Sequence, residues 1–319
     1  MPSQPPPTVP SFINPIVPSA HSPFEKTLLT GLRANHFRHP LDLQATQSLQ
    51  QLPGLDIAIR SLLGPVGEQV FQLENLAASV QVGPKQLPHL HELLLEACQV
   101  LDLDVPKLYV KQHPAPNAYT FAMRGKQPFI VIHTALIELL TPPEIQAVLG
   151  HELGHLKCDH SVYLTLANLL TVAASTLPMG TVLAQNLQAQ MMEWIRCAEF
   201  TCDRAALLAT QDARVVASVL MKLAGGSPSL APLLNLDAFL EQAREYDALS
   251  DTDIGDLLKQ LRTQDLSHPV PVLRAKEIQD WGNSKTYQSL LKARSIPYND
   301  RAQANLGKKT LERGGWRNW

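Results

Sequence analysis

Two histidines four residues apart, with a glutamate beside the first, are the groups in this chain best suited to chemistry: His151-Glu152-Leu153-Gly154-His155. On a helix, positions four apart lie one above the other, so both imidazoles can reach one ion. Ile145, Val148, Leu149 and Leu156 supply the apolar side such a helix needs. Zinc takes nitrogen and carboxylate ligands in tetrahedral geometry, and a catalytic site keeps one position for water. Glu152 is placed to take a proton from that water, whose pKa falls from 15.7 toward about 7 on the metal. The five-residue pattern also occurs in unrelated proteins, so a third ligand has to be found.

One class of site places a glycine three residues and a histidine six residues after the second ligand. Here those positions hold Cys158 and Ser161, and His160 falls one short, so that class is rejected. The other class takes a glutamate from a later helix, and Glu199-Phe200-Thr201-Cys202-Asp203, followed by Arg204-Ala205-Ala206-Leu207-Leu208, provides one. Glu199 and Asp203 share a helix face. Glu199 is the expected third ligand, and Asp203 the acceptor for the outer nitrogen of a zinc histidine, fixing its tautomer. Alone, Glu199 would read as a solvated helix carboxylate; the histidine pair changes that. Glu193 competes but lacks an acidic partner four residues on. Cys158 and Cys202, each three residues past an expected ligand, read either as small buried hydrophobes or as thiols whose oxidation would inhibit the site.

The positioning elements follow from pattern. Residues 1–23 are a proline- and serine-rich leader, expected to be disordered. Residues 24–86 read as a helical N-terminal region broken at Pro53-Gly54, Gly64-Pro65 and Gly83-Pro84. Residues 87–291 are the expected metallopeptidase domain, and 292–319 a loose basic tail. Within the domain, Leu87, Leu90, Leu94, Ala97 and Leu101 form one helical stripe. Three β-branched and aromatic runs, 107–111, 118–122 and 128–133, predict a small sheet. A helix near Ala135–Leu140 then stops at Thr141-Pro142-Pro143, where the metal-binding helix starts, capped by Thr141 or Pro142. The expected class is therefore α+β, mostly helical, with a zincin-like small sheet beside the active-site helix.

Residues 161–192 carry no charge but include Asn168, Asn186, Gln185, Gln188 and Gln190, with a break at Pro178-Met179-Gly180. A buried or membrane-touching helical hairpin is expected rather than a spanning pair. No secretory signal is read, since Lys26 is the first basic side chain other than histidine. Four irregularly spaced cysteines give no disulfide framework, which points to a reducing, cytoplasmic setting, while contact with a membrane surface is expected through 161–192. A net charge of −2 offers no basis for a nucleic-acid partner.

The Asn117-Ala118, His151–His155 and Glu199–Asp203 segments, with Ser267-His268-Pro269 followed by Arg274, resemble the HtpX and CAAX-prenyl-protease family of gluzincin metallopeptidases. The resemblance runs from about Leu93 to Ile278. Pro116–Gly125, the segment after the metal helix, and residues 37–76 look most like a cyanobacterial and plastid branch. The resemblance implies one zinc ion per chain and a polypeptide substrate. It implies that Asn117 and Ala118 lie on a strand that pairs with an extended substrate, and that His268 stabilises the tetrahedral intermediate. It also implies that Arg274 holds the site by pairing with Asp203 or Glu199. The implied function is a zinc endopeptidase, with quality control at or near a membrane as its setting. The alternative is a non-catalytic zinc domain acting as chaperone or adaptor, which would have no use for the base Glu152. The charge-free region is weaker than in HtpX-like members, and nothing indicates a lipidated substrate.

Overall fold

The computed structural model describes residues 26–50, 77–122, 127–160, 180–250, 270–293 and 295–297. The leader, residues 161–179 of the uncharged segment, and His268 lie outside the described residues.

A four-stranded sheet stands beside the motif helix. Its strands are β2 (Val80–Gln81), β3 (Lys107–Lys111), β4 (Ala118–Phe121) and β5 (Phe129–His133), in the order β2-β3-β5-β4. β3 and β5 run parallel, and β4 pairs antiparallel with β5 from Ala118↔Ile132 to Phe121↔Phe129. Side chains alternate between the two faces of a strand. Accordingly Leu108, Ile130 and Ile132 enter the main core, while Tyr109, Phe129 and Val131 form a small cluster on the other face with Phe121.

Helix α1 (Pro40–Gln50) precedes the sheet and α2 (Pro88–Leu101) falls between β2 and β3. The expected stripe of α2 is buried through Leu90, Leu94, Ala97 and Leu101. After β5 come a short α3 (Thr134–Leu139) and α4 (Pro142–Lys157), the motif helix. Thr141 caps α4: its amide and hydroxyl donate to Glu144 Oε2 at 2.7 and 2.8 Å, and two prolines occupy the turn where amide donors are not needed. Glu144 also receives Lys222 Nζ at 2.6 Å from α6 (Ala213–Gly225). At the other end, Asp159 takes a left-handed conformation (φ 57°) and turns the chain back toward the helix.

Helix α5 (Gly180–Thr210) carries Glu199 and Asp203 and packs against α4. Two glycines of α4 set the spacing. A Cβ on Gly150 would fall 2.7 Å from Ala209 Cβ, and one on Gly154 would fall 2.8 Å from Ala205 Cβ and 3.1 Å from Cys202 Cα. Only hydrogen at those positions allows so close an approach. Helix α6, with α7 (Leu236–Ser250) and α8 (Pro271–Gly282), builds a second cluster around Leu220, Leu240 and Val272, which directs Arg274 inward.

The 24–86 region is not helical throughout: it begins with β1 (Thr27–Leu29) and includes β2. β1 pairs antiparallel with β6 (Ser295–Pro297), beyond α9 (Lys285–Ala293), so the stretch from 292 expected to be a loose tail includes the end of α9 and a paired strand. Gln211 clamps β1, accepting from the Thr27 amide at 3.0 Å and donating to its carbonyl at 2.7 Å. The architecture is α+β and mostly helical with a small mixed sheet, as expected. No described helix is long and apolar enough to cross a membrane.

Candidate metal centre

The α4–α5 seam places Glu199 over the histidine pair. His151 Nε2 lies 3.5 Å from Glu199 Oε2, and His155 Nε2 lies 3.4 Å from Glu199 Oε1. Tetrahedral zinc with bonds of 2.0–2.2 Å separates its ligand atoms by about 3.3 Å. Each histidine–carboxylate pair, through its own oxygen of Glu199, has about that separation, and two nitrogens with one carboxylate suit such an ion chemically. Cys202 is a rival third donor: one atom each of His151, His155 and Cys202 lies within 4.8 Å of the others. Glu199 meets each imidazole through a separate carboxylate oxygen, and Cys202 Sγ also lies 3.5 Å from His160 Nδ1. Glu193 has its side chain outside the described residues.

Electrostatics favour a cation at the same place. Burial works against a charged His151, yet the carboxylates of Glu199 and Asp203 raise its pKa to about 10. Burial likewise opposes a charged Glu199, but Arg274 and His151 hold its carboxyl well below the usual range. The centre is thus rich in negative charge and stabilises positive charge beside it.

The outer nitrogens are also engaged. His151 Nδ1 lies 3.1 Å from Asp203 Oδ1, the contact expected of Asp203. Arg274 donates from Nε and Nη2 to both Asp203 oxygens at 2.7 Å, and its Nη1 lies 3.2 Å from Glu199 Oε2. The two partners left open for Arg274 are therefore both used. His155 Nδ1 lies 3.3 Å from His160 Nδ1, and His160 Nε2 lies 3.0 Å from Asp42 Oδ2. Burial pushes the His160 imidazole down to about 4. Burial opposes a charged Asp42, but His160 and Arg38 hold that carboxyl at about 2.

Sequence reasoning missed this second network. His160 was considered only as a ligand, and its signal was a position just past the helix end, where a left-handed residue turns the chain back. Asp42 had none, lying 118 positions away. Thr120 was missed too: its hydroxyl donates to Glu152 Oε2 at 2.8 Å. Alternation along β4 could have flagged it, since Thr120 shares a face with Ala118. Cys158 and Cys202 are fully buried, and burial raises the first thiol to about 12 and the second well above its ordinary value. That fits buried packing groups rather than reactive thiols.

β4 has a neighbour on one side only among the described strands. The Asn117 carbonyl accepts from the His133 amide at 2.9 Å, so it is turned inward. By the alternation of an antiparallel ladder, the backbone groups of Ala118 and Thr120 then face the open edge.

Residues 84–282 match the profile of peptidase family M48. The chain is 56% identical over 266 residues to plastoglobule-localized metallopeptidase 48, chloroplastic, of Arabidopsis thaliana, covering 83% of this chain and 77% of that protein. It is 29% identical over 195 residues to a protease HtpX homolog of Moorella thermoacetica, covering 53% of this chain and 64% of that protein. A protease HtpX homolog of Acaryochloris marina is 27% identical over 195 residues, 50% of this chain and 67% of that protein. No solved structure matches the chain significantly.

Proposed function

Since the chain belongs to peptidase family M48, on its HtpX-like cyanobacterial and plastid branch, we propose that it is a zinc endopeptidase with His151, His155 and Glu199 as ligands. Family membership makes it a metal-dependent hydrolase of peptide bonds. The identity of the metal, its ligands and the proton carrier are our reading. One observation carries it: Glu199 stands 3.4 and 3.5 Å from the two Nε2 atoms that would share an ion with it. Bound there, zinc would polarise the scissile carbonyl and acidify a water molecule.

The chain's own residues do the rest. Glu152 takes the proton of the attacking water on its carboxylate and returns it to the leaving amine. Thr120 holds one oxygen of that carboxylate. A substrate in extended form adds to the open edge of β4, pairing with the backbone of Ala118 and Thr120; Asn117, its carbonyl engaged with His133, supports the start of that strand. Asp203 keeps His151 in the tautomer that offers Nε2, and Arg274 neutralises Asp203 and Glu199. The resemblance gives His268 the role of donor to the tetrahedral intermediate. Quality control of proteins at or near a membrane is the setting we infer. The chloroplast address in the name of the Arabidopsis relative favours a plastid location over the cytoplasmic one expected from cysteine usage.

The test is zinc content and casein cleavage for wild type and Glu152→Gln. Zinc is expected to be retained at one ion per chain with cleavage lost. Equal cleavage by both proteins removes Glu152 from the mechanism.

A further inference from the structure

We propose that Asp42 and His160 form a positioning relay behind His155, supplied in part by a helix outside the family-matching region, and that it fixes how His155 presents Nε2 to the metal. The inference rests on His155 being a ligand.

The chemistry of an imidazole sets the direction of every bond. A histidine that binds metal through Nε2 carries its proton on Nδ1 and donates from there. His155 Nδ1 lies 3.3 Å from His160 Nδ1, so that nitrogen must accept. His160 then carries its proton on Nε2, 3.0 Å from Asp42 Oδ2, and a carboxylate can only accept. The opposite arrangement would set two N–H groups against each other, or leave a bare nitrogen facing a carboxylate. His160 and Asp42 are both wholly buried, so either conflict would be shielded from bulk solvent and costly.

The relay is held at each joint. Asp42 Oδ2 accepts from Thr201 Oγ1 at 2.7 Å, and Oδ1 from Thr46 Oγ1 at 3.0 Å. Thr46 Oγ1 in turn accepts from Trp194 Nε1 at 3.1 Å, and the Trp194 ring stands perpendicular to His160, centroids 5.6 Å apart. Cys202 Sγ also lies 3.5 Å from His160 Nδ1, and as a thiol it shares with His155 the single lone pair of that nitrogen. Each motif histidine thus has a carboxylate behind it, Asp203 directly for His151 and Asp42 through an imidazole for His155. Asp42 and its neighbours Arg38 and Thr46 precede residue 84, where the family match begins. In this chain α1 therefore completes the metal centre.

The test compares His160→Leu and Asp42→Leu with His160→Gln, whose amide can accept from His155 and donate to Asp42. Phe37→Ala serves as a control that loosens the same N-terminal segment without touching the relay; Phe37 is 1% exposed. For each, the zinc dissociation constant is measured against a chromogenic chelator, with the visible spectrum of the cobalt-substituted protein and the thermal midpoint. We expect the two leucine variants to weaken zinc binding about 10–100-fold and shift the cobalt bands. His160→Gln should stay near wild type in both, and Phe37→Ala should lower only the midpoint. Wild-type affinity in Asp42→Leu, or a zinc loss in Phe37→Ala that matches it, overturns the relay. If the leucine variants do not fold, long-range proton–nitrogen spectra of the zinc-loaded wild type decide: His160 protonated on Nε2 supports the relay, and on Nδ1 refutes it. A wild type that binds no zinc would sink the metal reading itself, a result distinct from either.

Discussion

The hydroxyl of Thr120 is the one side-chain donor within 3.5 Å of the Glu152 carboxylate among the described residues, which makes it the most economical test of how that base is held. A donor at 2.8 Å fixes the carboxylate rotamer without competing for the water proton. Valine has nearly the same shape and no hydroxyl. A hydrogen bond to a charged group contributes about 1.5 kcal/mol, or about tenfold in rate if it is felt mainly in the transition state. Thr120→Val should therefore lower kcat about tenfold while zinc content and KM stay close to wild type. A KM change with kcat intact would mean that the hydroxyl serves substrate binding instead. Arg274 shows the same economy: one guanidinium spans both oxygens of Asp203 and reaches Glu199, a geometry that a lysine ammonium could not reproduce.

Where α4 crosses α5, side-chain chemistry depends on backbone spacing. Gly154 is part of the histidine motif, yet its role is to admit Ala205 and Cys202. Alanine would gain about 1 kcal/mol of helix propensity, but overpacking against a neighbouring helix costs about 1–3 kcal/mol. Gly154→Ala should lower the thermal midpoint and weaken zinc binding, because it parts the helix bearing the histidines from the one bearing Glu199. Adding Ala205→Gly, which removes the nearest atom, should recover part of both losses; a single variant as stable and as zinc-tight as wild type would refute the spacing argument. The motif helix and the Glu199–Asp203 face were legible in the sequence because helix geometry alone puts i and i+4 together. Three of the four strands of the sheet, β3, β4 and β5, were legible because they are short and β-branched between breakers, whereas the two-residue β2 was not. Asp42 and His160 were not, since nothing local in Pro40-Leu41-Asp42 distinguishes a relay carboxylate from a first-turn acid. The β1–β6 pair was hidden for a similar reason. Three residues are too few to show a period of two, and the partners Leu28 and Ile296 are set together only by the closure of the fold.

At the scale of the molecule, α5 is the common neighbour of α1, α2, α4, α6 and α8. An ion held by His151 and His155 from α4 and by Glu199 from α5 would therefore tie the motif helix to the element that these helices share. Binding to the folded state alone adds stability by mass action, about 2.7 kcal/mol at a hundredfold excess over the dissociation constant. For a domain of this size, that raises the thermal midpoint by roughly 5–10 °C. The apolar core does not depend on the ion: Leu149, Leu153, Leu207 and Leu208 are buried along the same two helices, and Arg274 already offsets the charge of Glu199. Chelation should thus leave a folded chain with a lower midpoint, not an unfolded one. Calorimetry of Glu152→Gln, chosen so that self-cleavage cannot intervene, with zinc and then with excess EDTA, measures this directly. An unchanged midpoint would show that no ion bridges α4 and α5. Loss of helical circular dichroism at 25 °C on chelation would show instead that the seam between them is too weak to hold without one.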